Sequence, residues 1–446
     1  MTLTRGLVHL IRERRVGPED LRAAERYVRD WVGSTVAGRA TPAGRRLLAY
    51  GRGLADLDGR VFLAAALSHV TETDDLHRTS VTHPGCVVIP TALLLAAEVG
   101  GEGDRALRGV LAGYEAMLRI GEALGAEHYR VFHNTGTAGV FGAAAAACSV
   151  LELSDEAWVW ALGNAGTQAS GLWQFNEDAS MSKHLHAGHA ASAGLRAALL
   201  AAQGFTGPAE ILEGSKGFFR GLCPDPDPSA VLSPTTGWKL PETSMKLYPC
   251  CRHTHAAIDA ALQVRESLGL LGDHGDAART VASVRVLTYP AALEVTDRPS
   301  PETPYGAKFS LQYCVAASLT GGAPHLATFE PEALADDEIL RVMDVTALEA
   351  GASFASAFPT RWGAEITVTC ADGSEHRASR AAPVGDPECP LDDDALDRKV
   401  LGLLAHGGVT AAAGKLLDAC KALPAGGAVF ALPSTLEERA GPASGS

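Results

Sequence analysis

The chain is short of lysine. Of its 38 basic residues only 8 are Lys, and the other 30 are Arg. A lysine kept beside other polar groups in such a chain stands out, because a compact ammonium suits a carboxylate clamp or a proton-transfer group. Whole classes of motif are missing. No GxGxxG follows a strand pattern, no GxxxxGK[ST] is present and no Gly-x-Ser-x-Gly elbow occurs, which argues against nucleotide-dependent enzymes and serine hydrolases. HExxH and C-x2-4-C pairs, the common zinc spacings, are also absent. Basic charge is scarce overall. The net charge of −14 leaves no footprint for nucleic acid, although a local positive pocket for an anionic substrate is compatible with it. No apolar run reaches the roughly 18 residues of a membrane helix. Arg5, Arg12, Arg14 and Arg15 near the N-terminus are not followed by an apolar core and a small-residue cleavage site, so no secretory signal is expected. The cysteines are odd in number, 9, and lack a repeated spacing, which fits reduced thiols in a cytoplasmic protein.

With 446 residues, 46% apolar and 20% charged, the chain is long enough for two globular domains. Helical periodicity runs from Glu19 to about Gly214. The segments are 21–36, 60–69, 86–99, 104–124, 135–151, 155–170 and 187–203. Pro18, Glu19 and Asp20 mark a helix start, and Gly204, Gly207 and Pro208 mark a stop. The small-residue run Gly142–Ala147 predicts close helix packing. After a further helix over 253–268 the texture changes. Strands are expected over 280–288 and 364–370, with 374–381 returning as a hairpin through the Asp372-Gly373 turn. Helices are expected over 309–319, 336–343, 392–406 and 410–422, and disorder over 441–446. The fold class is mainly α. A large all-helical domain spans 1–268 and 391–446, and a smaller α+β lid domain spans 269–390.

Four polar clusters sit at the edges of these helices. Glu72-Thr-Asp-Asp75 precedes His83, and a carboxylate can orient a histidine for acid–base work. The bland alternative is an acidic loop that caps the next helix. His133 opens the small-residue helix, where the helix N-terminus favours neutral imidazole. Lys183, His184, His186 and His189 lie at another helix start, a place that welcomes anions. Lys246-Leu-Tyr-Pro-Cys250-Cys251 is the fourth cluster. Tyr313, in the run Phe309–Tyr313, is either a core aromatic or a site residue. Together these groups suit an anionic substrate and a proton moved at a carbon beside a carboxylate.

In their order along the chain the motifs resemble the MmgE/PrpD family, which includes 2-methylcitrate dehydratase, cis-aconitate decarboxylase and iminodisuccinate epimerase. The resemblance rests on Glu72–Asp75 with His83-Pro-Gly85, Gly113-Tyr-Glu115, Phe132-His133 and Gly139–Ala147. It continues through Gly163–Thr167, Lys183–Gly188, Gly204–Pro208, Lys246–Cys250, Ile258–Ala260 and Phe309–Tyr313. It implies a helical domain with an α+β lid, a homodimer, no metal and no organic cofactor. The substrate would be a small di- or tricarboxylate. Carried over by motif, the catalytic residues are His83, His133, Lys183, Lys246 and Tyr313, and Glu72, Asp75, His186 and Cys251 bind substrate. Two departures stand out. Leu76 occupies a position that is threonine in the decarboxylase-like pattern, and Cys251 one that is histidine. Both weaken the decarboxylase implication, and the acidic segment also lacks the Leu-Asp-Phe-Asn-Asp form of 2-methylcitrate dehydratase, so the substrate stays open; dehydration of a hydroxy-polycarboxylate is the first expectation, with epimerisation and decarboxylation behind it. Other classes are a metal-dependent hydrolase using His184, His186, His189, Cys250 and Cys251, and a non-catalytic anion-binding homologue.

Overall fold

The computed structural model describes residues 2–177, 180–269 and 281–429. They form two compact units. The first takes in Met1–Val70, Asp74–Ser244 and the chain from Asp392 onward; the second takes in Thr71–Thr73 and Met245–Leu391. Thr280 and the tail 441–446 lie outside the described residues.

The first unit is helical. Its main helices are α1 (Leu3–Glu13), α2 (Pro18–Gly38), α3 (Pro42–Gly51), α4 (Leu57–Ser68), α5 (Pro84–Glu98), α6 (Gly103–Glu122), α7 (Asn134–Val150), α8 (Asp155–Gly166) and α9 (Ser182–Ala202). Helix α7 lies at the centre and packs against α5, α6, α8 and α9. Its residues are buried on every side apart from one position in its last turn, so its composition is small and apolar rather than amphipathic. The small side chains let backbones meet. A Cβ on Gly142 would lie 2.8 Å from Met117 Cβ and 3.1 Å from the Gly113 carbonyl oxygen of α6. No described helix is long and apolar enough to cross a membrane.

The second unit contains α10 (His255–Ser267), α11 (Leu311–Gly321) and α12 (Asp337–Asp344) with strands β1 (Val281–Thr288), β2 (Thr346–Ala350), β3 (Ala364–Cys370) and β4 (Glu375–Arg380). The sheet order is β2-β1-β3-β4, with β1 and β2 parallel and the other pairs antiparallel. Ile258, Ala261, Val284, Val286, Leu311, Val315, Ile366 and Val368 belong to one core. That core explains a shifted boundary. The sequence places 253–268 with the helical domain, but α10 packs against β3, β4 and α11 and so belongs to the second unit, which begins at Met245. Helices α13 (Asp393–His406) and α14 (Ala413–Ala422) return to the first unit, where both pack on α2.

Candidate active site

In the first unit three long helices deliver their first residues to one place. His83 is the N-cap of α5, His133 is the N-cap of α7, and Lys183 lies in the first turn of α9. Local bonds lock the helix heads together. The His83 backbone N–H donates to Thr135 Oγ1 at 3.1 Å, and Asn134 Nδ2 donates to the Ser80 carbonyl at 2.9 Å. The His133 N–H donates to the Gly171 carbonyl at 2.9 Å. Gly171 has φ +126°, and a Cβ there would sit 3.1 Å from the His186 ring, so the position takes glycine for both conformation and space.

The hub of this cluster is His69, which the sequence reading did not single out. Its ring centroid lies 4.8 Å from that of His83, 5.6 Å from His133 in a parallel stack, and 6.1 Å from His184. Asp74 joins them. His69 Nδ1 lies 2.6 Å from Asp74 Oδ2, a hydrogen bond, and His83 Nδ1 lies 3.2 Å from the same oxygen without being aligned as one. Asp74 Oδ1 and His69 Nε2 are buried without a hydrogen-bond partner. His133 Nδ1 lies 3.3 Å from His186 Nδ1.

The electrostatics follow from burial. Desolvation, only partly offset by Asp74, lowers His69 to about 4. Desolvation also holds His133 well below 6.5, with the neighbouring imidazoles and Lys183 adding to it. His186 falls to about 4, again chiefly by burial. These three rings are therefore neutral at pH 7. Asp74 stays well below its usual 3.8, because the adjacent His69 and His83 outweigh its burial. Lys183 is buried among these groups and acts on both His69 and His133.

Asp75, the carboxylate chosen from sequence, takes a different part. Its Oδ1 accepts the Gly85 N–H at 3.0 Å and its Oδ2 accepts the Tyr114 hydroxyl at 2.6 Å. It thus caps the first turn of α5 from below, and burial pushes its carboxyl up to about 8. The helix-cap alternative describes Asp75, whereas Asp74 is the histidine's neighbour.

The remaining sequence-derived residues lie in the second unit. Lys246 Nζ donates to Glu72 Oε2 at 3.0 Å, and both side chains are buried. Glu72 holds φ +61°, a left-handed conformation that costs an ordinary residue roughly 1–2 kcal/mol. Such strain collects where a side chain must be aimed. Cys251 is buried and its thiol is raised to about 12. His253 Nδ1 lies 2.6 Å from the Tyr289 hydroxyl, and its ring stacks on Trp362 at 4.4 Å. Tyr313 is packed in the core of this unit, with its hydroxyl donating to the Thr328 carbonyl at 2.7 Å.

Among the described residues, two groups bring ligand-capable atoms within 4.8 Å of one another: His69–Asp74–His83 and His77–Glu122–Glu242. Neither contains His184, His186, His189, Cys250 or Cys251, the set required by the hydrolase alternative. Donor atoms held at about 2.0–2.1 Å by one tetrahedral ion lie roughly 3.3 Å apart. The 2.6 Å between His69 and Asp74 is the distance of a hydrogen bond. In the second group Lys239 Nζ already lies 3.0 Å from Glu122 and 3.1 Å from Glu242.

Comparison with known proteins covers most of the chain. The family model for the MmgE/PrpD N-terminal domain matches residues 7–231, and that for the MmgE/PrpD C-terminal domain matches residues 248–423. The cis-aconitate decarboxylase-like protein oryM of Aspergillus oryzae is 29% identical over 362 residues, which is 76% of this chain and 73% of that protein. Human cis-aconitate decarboxylase is 26% identical over 356 residues, 76% of this chain and 70% of its own. The 2-methylcitrate dehydratase of Cupriavidus necator is 28% identical over 154 residues, 34% of this chain and 31% of its own.

Proposed function

The chain belongs to the MmgE/PrpD family, and we propose that it is a cofactor-independent lyase that dehydrates a hydroxy-polycarboxylate by removing a proton beside a carboxylate. One observation carries this reading: the heads of α5, α7 and α9 bring His83, His133 and Lys183 around one buried imidazole, His69, which bonds the buried carboxylate of Asp74. Helix N-termini and a buried ammonium favour an anionic substrate group. Lys183 holds a substrate carboxylate and stabilises the enediolate-like charge that builds on it. His83, with Asp74 behind it, exchanges a proton with the adjacent carbon. His133, neutral at pH 7, hydrogen-bonds the departing hydroxyl as that oxygen takes up the proton removed from carbon, and water leaves. No step is assigned to Tyr313, whose hydroxyl is committed to a backbone carbonyl.

Decarboxylation is the second reading, and one finding favours it: the relatives matched over 76% of this chain are a cis-aconitate decarboxylase and a protein like one. Against it, Leu76 supplies no hydroxyl where the decarboxylase-like pattern has threonine. It is buried and bonds Ser244 through its backbone.

The test is product analysis by NMR with 2-methylcitrate, citrate- and malate-type hydroxy acids and cis-aconitate. A new alkene signal from a hydroxy acid is expected. Release of carbon dioxide from cis-aconitate supports the second reading instead, and a changed diastereomer would make the enzyme an epimerase. The site assignment fails if His133→Ala and Lys183→Met convert the substrate as fast as the wild type.

A further inference from the structure

His69 sits behind the groups assigned to catalysis, and its contacts go beyond packing. Its ring is fully buried at the end of α4 and touches the two candidate acid–base histidines on different sides. One contact is the parallel stack on His133 at 5.6 Å, and the other is the edge contact with His83 at 4.8 Å. Its Nδ1 hydrogen-bonds Asp74 Oδ2 at 2.6 Å, the same oxygen that His83 Nδ1 approaches at 3.2 Å. Asp74 Oδ1 is buried without a hydrogen-bond partner, so the direction of the carboxylate depends on what holds Oδ2. A buried charged acceptor of this kind is costly unless its position is fixed by a donor.

We propose that His69 is a positioning residue: its Nδ1–H anchors Asp74 so that the carboxylate faces His83. The inference deepens the proposed lyase reading, because it concerns the alignment of that reaction's acid–base pair. The donor role fixes the tautomer of His69. With Asp74 ionised, Nδ1 must carry the proton and Nε2 must be bare, which agrees with Nε2 having no partner. The groups facing this cluster are Asp74 from the loop after α4, His83 at the head of α5, His133 at the head of α7, and Lys183, His184 and His186 from α9. Lys183 and the neighbouring imidazoles oppose a second proton on His69, and Asp74 favours one; burial decides for the neutral ring.

Two substitutions separate alignment from packing. His69→Asn places an amide N–H near the position of the lost Nδ1 but removes the ring. His69→Phe keeps the ring and removes the donor. If the hydrogen bond does the positioning, His69→Phe lowers kcat by about 10-fold or more with KM little changed, and His69→Asn retains the greater activity. The reverse order, or equal activities, would make His69 a packing residue and overturn the proposal. A second measurement needs neither a variant nor a substrate. Nitrogen-15 spectra of histidine-labelled wild-type protein should show His69 as the neutral Nδ1–H tautomer from pH 6 to pH 8. The signal is assigned by its loss in the His69 variant, or by through-space contacts to His83 and His133 if neither variant folds. An Nε2–H tautomer or an imidazolium in that range would refute the anchor. Because the spectra do not depend on turnover, failure of the lyase reading would leave this result standing, and the converse also holds.

Discussion

At the scale of single residues, the Lys246–Glu72 pair gives the sharpest expectation. Both side chains are buried at 3.0 Å, and removing one partner of such a pair strands a charge at a cost of about 3–5 kcal/mol. Lys246→Met should therefore lower stability. The double variant Glu72→Gln/Lys246→Met should recover most of it. Denaturant melts check this, and a double variant as unstable as the single one would contradict it. Asp75 makes a different prediction. Its carboxyl lies near 8 in the fold against an ordinary 3.8, so the folded state holds the proton more tightly. The resulting stabilisation is complete below about 3.8 and is lost as pH rises through about 8. Asp75→Asn should remove this part of the slope, so the stability difference, wild type minus variant, should fall between pH 4 and pH 8. A difference that is flat or rises over that range would show that Asp75 is not so perturbed. Adjacent acids explain what could be read from sequence here. Glu72, Asp74 and Asp75 were visible as a group beside His83, but side-chain direction depends on backbone angles such as φ +61° at Glu72. Sequence alone therefore could not tell the histidine's neighbour, Asp74, from the helix cap, Asp75. His69 escaped for a related reason: as the C-cap of α4 it reads as the end of a helix.

At the scale of elements, the helices were legible because their starts carry chemical marks. Pro18 with Glu19 and Asp20, Ser154 before α8 and Asp392 before α13 stand at observed helix boundaries. Strands β1, β3 and β4 were legible through alternation and the Asp372-Gly373 turn. Strand β2, Thr346–Ala350, was not expected. Its sequence TALEA has little β-branching, and tertiary pairing with β1 holds it at the edge of the sheet. Helix α1 also lay outside the helical reading. Its Gly6 weakens the local pattern, yet a Cβ there would meet Leu232 Cδ1 at 2.8 Å, so the glycine serves packing. Helix α9 begins at Ser182 rather than near Ala187, which places Lys183 in its first turn. The close approach of α6 and α7 is testable. Gly142→Ala would push a methyl to 2.8 Å from Met117 Cβ and 3.1 Å from a backbone carbonyl. Overpacking of this kind typically costs about 1–3 kcal/mol, readable as a shift in the denaturant midpoint. An unchanged midpoint would mean that the two helices can part at no cost.

At the scale of the whole molecule, the two-part organisation was legible from the change of texture along the chain. The boundary was less so, because α10 is as helical in sequence as the helices before it and only its packing assigns it to the second unit. The family resemblance implies a homodimer, and a solution mass of twice the chain is the expected result in analytical ultracentrifugation. Independence from metal is a second whole-protein expectation, motivated by the 2.6 Å hydrogen bond inside the one candidate trio at this site. Prolonged chelation should leave the rate unchanged. Activity that disappears and returns only with added zinc or iron would bring back a metal-dependent mechanism. The central claim is that a proton moves at a carbon beside a carboxylate, with His133 as one of the acid–base groups. The most direct test is turnover in D₂O followed by NMR. Run in the hydration direction, from the alkene product, the reaction should place deuterium at a single carbon beside a carboxylate, with the rate lowered by roughly 10²–10⁴ in His133→Ala. Hydration of the alkene with no deuterium at any carbon would contradict the mechanism.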